Sequence, residues 1–120
     1  MNKKTLVIGA SLKPERYSHM AIKKLRHYNH EVKAFGLRSG MVDDVSIDTE
    51  LMPYKGIDTV TLYLNPTRQT TYYDYIIGLN PKRVIFNPGT ENSEFYNLLK
   101  QNNIAYEVAC TLVLLSTNQY

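Results

Sequence analysis

Cysteine is almost absent from this sequence, and long apolar runs are absent as well. The single cysteine excludes an intrachain disulfide and a zinc site built from cysteines. No apolar run approaches the roughly 20 residues that a membrane-spanning helix needs. The apolar stretch near the start is only about four residues long, so we expect no signal peptide. These absences predict a protein of the reducing cytoplasm with no membrane partner.

The length and composition are those of one globular domain. The chain has 120 residues, of which 43% are hydrophobic and 21% are charged. Such a chain can bury a core of its own, and the net charge of +3 is too small to favour disorder. We therefore expect residues 1–120 to form a single domain.

The charge is distributed unevenly along the chain. Residues 1–40 hold nine of the 14 lysines and arginines but only two of the 11 acids, and all three histidines lie there too. This basic third indicates either an anionic partner or a solvated basic helix face. No recognised nucleic-acid-binding module accompanies it, so nucleic acid is not the expected partner. The histidines have no metal-ligand spacing, and no metal site is predicted.

Short apolar runs alternate with helical patterns. The runs predict five strands, at 5–9, 31–35, 59–64, 83–86 and 105–109. Helices are expected at 17–28, at 67–79 and after Thr90, which would cap the third helix. Residues 36–57, with an acidic patch, are expected to form a long loop holding at most one short strand or helical turn. The tail after Cys110 is short and apolar.

This alternation predicts an α/β domain. Parallel strands need helical crossovers, and right-handed crossovers place helices on both faces of the sheet. We expect a three-layer, doubly wound, parallel five-stranded sheet that is Rossmann-like, with strand order 3-2-1-4-5. Ligands of such sheets bind beyond the carboxyl ends of the strands, so the loops at these ends are the candidate site.

The loop after the first predicted strand suits a phosphate. Gly9 permits a tight turn, and the backbone N–H groups that open the following helix can hold an anion. Serine hydroxyls and the positive charges of Lys13 and Arg16 add to this. The loop is neither a dinucleotide fingerprint nor a Walker A loop, because the required glycines are missing. A plain strand–helix connection is the alternative.

The second predicted strand ends without an acid. NAD-binding domains place Asp or Glu there to hold the ribose hydroxyl. Here Phe35 is followed by Gly36, Leu37 and Arg38, which suit a phosphorylated ribose, as in NADP or coenzyme A. A solvated Arg38 is the alternative.

Two Asn-Pro turns and the cysteine complete the candidate loops. Asn65-Pro66 and Asn87-Pro88-Gly89 end two strands, either beside a cleft or as ordinary helix starts. Cys110 follows the fifth predicted strand at the expected ligand end. It is either a thiol able to form a mixed disulfide with a thiol ligand or a small buried hydrophobe.

These residues carry a resemblance to a known family. The matching segments are VIGASLKPERYS at 7–18, FNPGTENSEFYNLL at 86–99, the end of NIAYEVACTLVLL at 103–115 and, less closely, IDTVTLYLNP at 57–66. The chain resembles the small CoA-binding domain family, five-stranded Rossmann-like proteins similar to the CoA-binding domain of the succinyl-CoA synthetase alpha subunit. That family usually has an Asn-Pro pair after the second strand, where Gly36-Leu37-Arg38 stands here.

The resemblance implies coenzyme A or an acyl-CoA bound across the strand ends. The 9–18 loop would hold phosphates, the 36–39 segment the adenosine and its 3′-phosphate, and the 64–66 and 87–90 turns the pantetheine. Tyr17, beside the first loop, would stack on an adenine. The expected cofactor-binding residues are Gly9, Ala10, Ser11, Lys13, Arg16, Tyr17, Ser18, Gly36, Leu37, Arg38, Asn65, Pro66, Asn87, Pro88, Gly89 and Cys110.

No catalytic residue is predicted, and a CoA-binding protein is expected rather than an enzyme. Two alternatives stay open. One is an NADP-binding, oxidoreductase-like domain, which Arg38 favours. The other is a regulatory or interaction domain without a nucleotide ligand, and a homodimer is left open.

Overall fold

The computed structural model describes residues 2–120, and in this range the chain alternates strands and helices. The strands are β1 (Thr5–Ala10), β2 (Val32–Gly36), β3 (Gly40–Val42), β4 (Val45–Asp48), β5 (Thr59–Leu62), β6 (Arg83–Phe86) and β7 (Ala105–Val108). The helices are α1 (Tyr17–His27), α2 (Pro66–Gln69), α3 (Tyr73–Leu79), α4 (Ser93–Gln101) and α5 (Thr111–Ser116), with a 3-10 turn at Thr70–Tyr72.

The seven strands form one mixed sheet in the order β3-β4-β2-β1-β5-β6-β7. Neighbouring strands are parallel except for β3 and β4, which are antiparallel. The α/β Rossmann-like class is confirmed. The predicted sheet of five parallel strands in the order 3-2-1-4-5 is wrong, because the third predicted strand, β5, pairs with β1 rather than with β2.

A hairpin explains the different order. Residues 40–48, expected to be loop, fold back through a two-residue turn at Asp43 and Asp44, and Asp43 has the positive φ of 52° that such turns favour. The second strand of the hairpin pairs with β2, with Ala34 opposite Ile47. Because the hairpin occupies this edge of β2, the strand at 59–62 pairs with the free edge of β1.

Helices cover both faces of the sheet and bury two apolar clusters. On one face Val7 packs with Ile22 of α1 and Leu115 of α5. On the other face Leu62 packs with Phe95 and with further residues of α3 and α4. The side chains of β1 alternate between the two faces, as a strand in the middle of a three-layer domain requires.

Two helix predictions need correction, and one helix was not predicted. The predicted helix 67–79 is interrupted by the 3-10 turn at Thr70–Tyr72. The third helix is capped by Asn92 rather than Thr90, because the Asn92 side chain accepts the N–H of Phe95 at 3.1 Å. The apolar tail after Cys110 forms α5. None of the helices in residues 2–120 is long and apolar enough to cross a membrane.

Candidate functional site

A cleft of about 500 Å³ opens at the carboxyl ends of the central strands. It lies where the chain order reverses, since β1 leads to β2 on one side and β5 leads to β6 on the other. This switch point is where open α/β sheets bind ligands, and the volume lies in the usual range for small-molecule sites. Thirteen predicted site residues line the cleft: Gly9, Ala10, Ser11, Lys13, Arg16, Tyr17, Ser18, Gly36, Leu37, Arg38, Asn65, Pro88 and Gly89.

Two glycines allow the strand ends to approach closely at the base of the cleft. Gly9 has a φ of 92°, and a Cβ there would lie 2.9 Å from the backbone carbonyl carbon of Tyr63. A Cβ at Gly36 would lie 2.3 Å from the carbonyl oxygen of Ala10. Real Cβ atoms do not approach backbone this closely, so both positions require glycine.

Hydrogen bonds fix the loop between β1 and α1. The Ser11 hydroxyl accepts the N–H of Lys13 at 3.1 Å. The Ser11 carbonyl accepts a hydrogen bond from the Nδ1–H of His19 at 2.9 Å, so Nδ1 of this imidazole carries a proton. His19 thus supports the loop from the first turn of α1 and does not line the cleft.

The N-terminus of α1, which follows this loop, has no capping side chain. Arg16 occupies the N-cap position, its side chain makes no capping hydrogen bond, and the first turn contains no acid. The first N–H groups of a helix lack partners within the helix, and together with the helix dipole they attract anions. Tyr17 and Ser18, which open α1, line the cleft.

The cleft collects positive charge and no negative charge. Lys13, Arg16, Arg38 and Arg68 line it, and no aspartate or glutamate does. Within residues 2–120, none of these four cations forms a salt bridge. Unpaired cations on a concave wall raise the local concentration of anionic ligands.

The basic helix face is different, because the hairpin turn neutralises much of it. Lys23 contacts Asp43 at 2.8 Å, and Arg26 contacts Asp44 through two nitrogens at 2.8 and 2.9 Å. The hydrogen bond from Arg26 lowers the pKa of Asp44. Some basic residues of the segment 1–40 are therefore paired with the acids of the hairpin turn, and others line the cleft without an acidic partner.

One end of the cleft is apolar and aromatic. The rings of Phe35 and Tyr72 meet edge to face, with their centroids 5.5 Å apart. Leu64 and the highly exposed Leu37 lie on the same lining. A planar base fits such an environment.

A buried polar network holds the opposite wall. The Gln69 side chain is fully buried and donates to the carbonyls of Leu64 at 2.8 Å and Thr90 at 2.7 Å. Its oxygen accepts from Asn92 at 2.9 Å, and Asn92 also donates to the hydroxyl of Tyr73 at 2.7 Å. This network links α2 to the loop after β6, so the turn after β5 and the turn after β6 are held together.

Three predicted site residues are not brought to the cleft. Asn87 is buried because its amide is used inside the fold, donating to Thr61 at 2.7 Å and accepting from Thr111 at 2.9 Å. Pro66 begins α2 and is exposed outside the lining. Cys110 is partly buried and immediately precedes α5, and it is not among the residues that line the cleft.

Seven lining residues are absent from the predicted list: Leu12, Phe35, Tyr63, Leu64, Arg68, Tyr72 and Thr90. Leu12, Leu64 and Thr90 nevertheless lie in the segments 9–18, 64–66 and 87–90 that were expected to meet the ligand. Most of them had been read as strand or helix positions. Arg68 carried a usable signal, because it follows the Asn-Pro turn at the end of β5 by two residues. Burial is the main cause that raises the pKa of the Tyr63 phenol. Residues 2–120 contain no cluster of three His, Cys, Asp or Glu side chains that could hold a metal ion.

Comparison with known proteins gives one family match. A family model described as a CoA binding domain matches residues 3–116. A search of curated proteins gives no significant match.

Solved structures share the fold over nearly the whole chain. The chain is 44% identical to a protein described only as uncharacterized, with a TM-score of 0.97 and with 100% of this chain and 99% of that one covered. A Thermus thermophilus protein is 21% identical, with a TM-score of 0.85 and coverage of 99% and 91%. A hypothetical protein from Pyrococcus horikoshii OT3 is 25% identical, with a TM-score of 0.85 and coverage of 97% and 83%.

Proposed function

The chain belongs to the CoA-binding domain family, and on that premise we propose that its cleft binds coenzyme A or an acyl-CoA. The observation that carries the proposal is the set of four unpaired cations, Lys13, Arg16, Arg38 and Arg68, on a lining without acids. Coenzyme A carries a diphosphate and a ribose phosphate, which together bear about four negative charges at neutral pH. The charges of the cleft and the ligand are therefore complementary.

The diphosphate is assigned to the loop between β1 and α1. The uncapped first turn of α1 offers backbone N–H donors, and Ser11 and Ser18 add hydroxyls. Lys13 and Arg16 supply charge-assisted contacts, which are the stronger class of hydrogen bond. Gly9 allows the start of this loop to lie directly against the backbone of Tyr63.

The adenine and the pantetheine of the ligand occupy the parts of the cleft on either side of this loop. The adenine lies at the apolar end, against Phe35, Leu37 and Tyr72. The pantetheine runs along the turns after β5 and β6, past Asn65 and Gly89. Its thiol is not assigned to Cys110, which lies outside the lining, and the proposal includes no reaction.

Thermal unfolding with a panel of ligands tests the proposal. The protein is heated alone and with CoA, acetyl-CoA, dephospho-CoA, NADP, NAD or ATP, each at the same concentration. A ligand present at 100 times its Kd adds about 2.7 kcal/mol of stability, a shift of several degrees for a domain of this size. We expect shifts with CoA and acetyl-CoA and none with NAD.

Arg16→Gln provides the loss-of-binding arm of the same experiment. Removal of one charge-assisted phosphate contact is expected to weaken CoA binding about tenfold, which reduces the shift. Lys100→Gln, an equal loss of charge on α4 outside the cleft, is the matched control and should leave the shift unchanged. A shift with NADP alone would favour the oxidoreductase-like alternative, and no shift with any ligand would favour an interaction domain.

A further inference from the structure

The loop between β1 and α1 uses some of its backbone N–H groups internally and leaves one of them free. The N–H of Lys13 donates to the Ser11 hydroxyl at 3.1 Å, and the N–H of Arg16 donates to the Lys13 carbonyl at 3.1 Å. The N–H of Leu12, which lies outside any helix or strand, has no hydrogen-bond partner within residues 2–120. Leu12 lines the cleft. Its N–H is therefore a donor available to a bound group.

His19 holds the peptide that carries this free N–H by its carbonyl end. The Nδ1–H of His19 donates to the Ser11 carbonyl at 2.9 Å. Residues 2–120 contain no cis peptide bond, and the C=O and N–H of a trans peptide point in opposite directions. The N–H of Leu12 therefore points away from His19. Ser11 and Leu12 lie on the cleft lining, whereas His19 does not.

The side chain of Leu12 fixes the same peptide from a different element. A Cβ at Gly40, where β3 begins, would lie 2.6 Å from a terminal methyl carbon of Leu12, so this side chain packs directly on Gly40. The hairpin that contains Gly40 is in turn paired with α1, since Lys23 contacts Asp43 at 2.8 Å. The peptide is thus held on its carbonyl side by α1 and on its side-chain side by β3. Such a donor is oriented before a ligand arrives, which lowers the entropy cost of binding.

We infer that His19 is a positioning residue, which keeps the Leu12 N–H directed at a phosphate oxygen of the bound ligand. The inference rests on the proposed function and concerns the diphosphate part of that site. The Ser11 hydroxyl accepts from Lys13, so its own hydrogen is left to donate to the same phosphate. Without the bond from His19, the peptide can rotate and turn its carbonyl oxygen toward the anion, which repels it.

Calorimetric titration with CoA tests this role in wild type, His19→Leu and His19→Asn. His19→Leu removes the donor and should weaken CoA binding about tenfold, the effect of one charge-assisted hydrogen bond. In His19→Asn the side-chain amide places an N–H donor where Nδ1–H stood, so affinity should return to within about twofold of wild type. His27→Leu, the same substitution at an exposed position of α1 outside the cleft, is the matched control and should not change the affinity.

A spectroscopic readout separates positioning from a purely structural role. Inorganic pyrophosphate is titrated into isotopically labelled wild type and variants, and the Leu12 amide signal is followed by nuclear magnetic resonance. The signal should shift in wild type and in His19→Asn, and it should shift much less in His19→Leu. Urea unfolding of each variant establishes that the folded protein is the species titrated.

The contrary outcomes separate the role of His19 from the proposed function. If His19→Leu is less stable but binds CoA and pyrophosphate as wild type does, His19 supports the fold alone and the inference is overturned. Failure of His19→Asn to recover affinity would also overturn it. If pyrophosphate shifts the Leu12 signal in a His19-dependent way but CoA does not bind, the proposed function fails and the positioning role stands. If wild type binds neither, both fail.

Discussion

At the scale of single residues, Gly36 allows the ends of β1 and β2 to pack closely at the base of the cleft. A Cβ at this position would lie 2.3 Å from the carbonyl oxygen of Ala10, which is backbone and cannot rotate away. The strand ends would have to separate to accept it, at the point where β1 and β2 already shift register after Ile8. The glycine therefore serves the packing of the cleft base.

Gly36→Ala is expected to destabilise the protein by about 2 kcal/mol or more, because overpacking against fixed backbone is costly. Urea unfolding measures the loss. Gly78→Ala is the matched control, since a Cβ at Gly78 in α3 meets nothing within 4 Å. There alanine should gain about 0.5–1 kcal/mol through helix propensity. If the two substitutions change stability equally, the close approach at Gly36 has no energetic consequence.

At the scale of elements, Asn92 connects the start of α4 to the wall of the cleft. Its oxygen caps the helix, and its amide donates to Gln69 and Tyr73. One side chain thus satisfies a helix terminus and keeps the buried Gln69 oxygen paired.

Asn92→Ala is expected to cost about 2–4 kcal/mol, from the loss of the cap and from an unpaired buried oxygen on Gln69. Asn92→Ser keeps a capping oxygen, adds no charge and loses the amide donor, so its cost separates the two contributions. Both are measured by urea unfolding. If Asn92→Ala is as stable as wild type, the packing of α4 and α2 does not depend on this residue.

The elements also show which structures the sequence could predict. The buried runs that became β1, β2, β5 and β6 were recognisable because each is short, mostly apolar and followed by a turn residue. The run that became β7 is only partly buried. The hairpin of β3 and β4 was not recognisable, since its polar positions and its acidic turn resemble a solvated loop. The predicted strand order was wrong for the same reason. Local sequence patterns do not show that the hairpin pairs with β2 and leaves β5 to pair with β1.

The candidate site was predictable to a similar degree. The 9–18 loop follows a strand directly, so its place at the sheet edge could be inferred from the sequence. Tyr72 required three-dimensional information, because only its ring contact with Phe35 brings the 3-10 turn to the end of β2. The position of Asn87 in the core was not predictable, because the partners of its amide, Thr61 and Leu62, are distant in the sequence.

At the scale of the whole molecule, His30 contacts residues near both ends of the chain. It precedes β2, at the amino ends of the strands and therefore opposite the cleft. Its Nδ1 accepts the backbone N–H of Lys3 at 2.9 Å, and its ring packs 4.9 Å from the ring of Tyr120. Burial is the main cause that lowers the pKa of His30, with Lys3 and Arg83 acting in the same direction and Asp58 opposing them. The folded protein therefore holds this imidazole neutral.

Stability is expected to fall as the pH decreases below about 6.5, because the unfolded chain then binds a proton that the folded chain resists. The contribution is complete above that pH and is lost progressively down to the lowered pKa of the folded state. Urea unfolding between pH 7 and 5 measures it. His30→Asn, which keeps an acceptor, should flatten this dependence, and exposed His27→Gln should not. An unchanged slope in His30→Asn would contradict the assignment.

The central claim is that the cleft at the switch point between β1 and β5 is the CoA site. The most direct measurement is a titration of isotopically labelled protein with CoA, followed by the backbone amide signals in nuclear magnetic resonance spectra. The account predicts the largest changes in three segments that line the cleft: 9–18, 36–38 and 64–68. Changes centred instead on α1 near Lys23 and the turn at Asp43, or no changes at all, would contradict it.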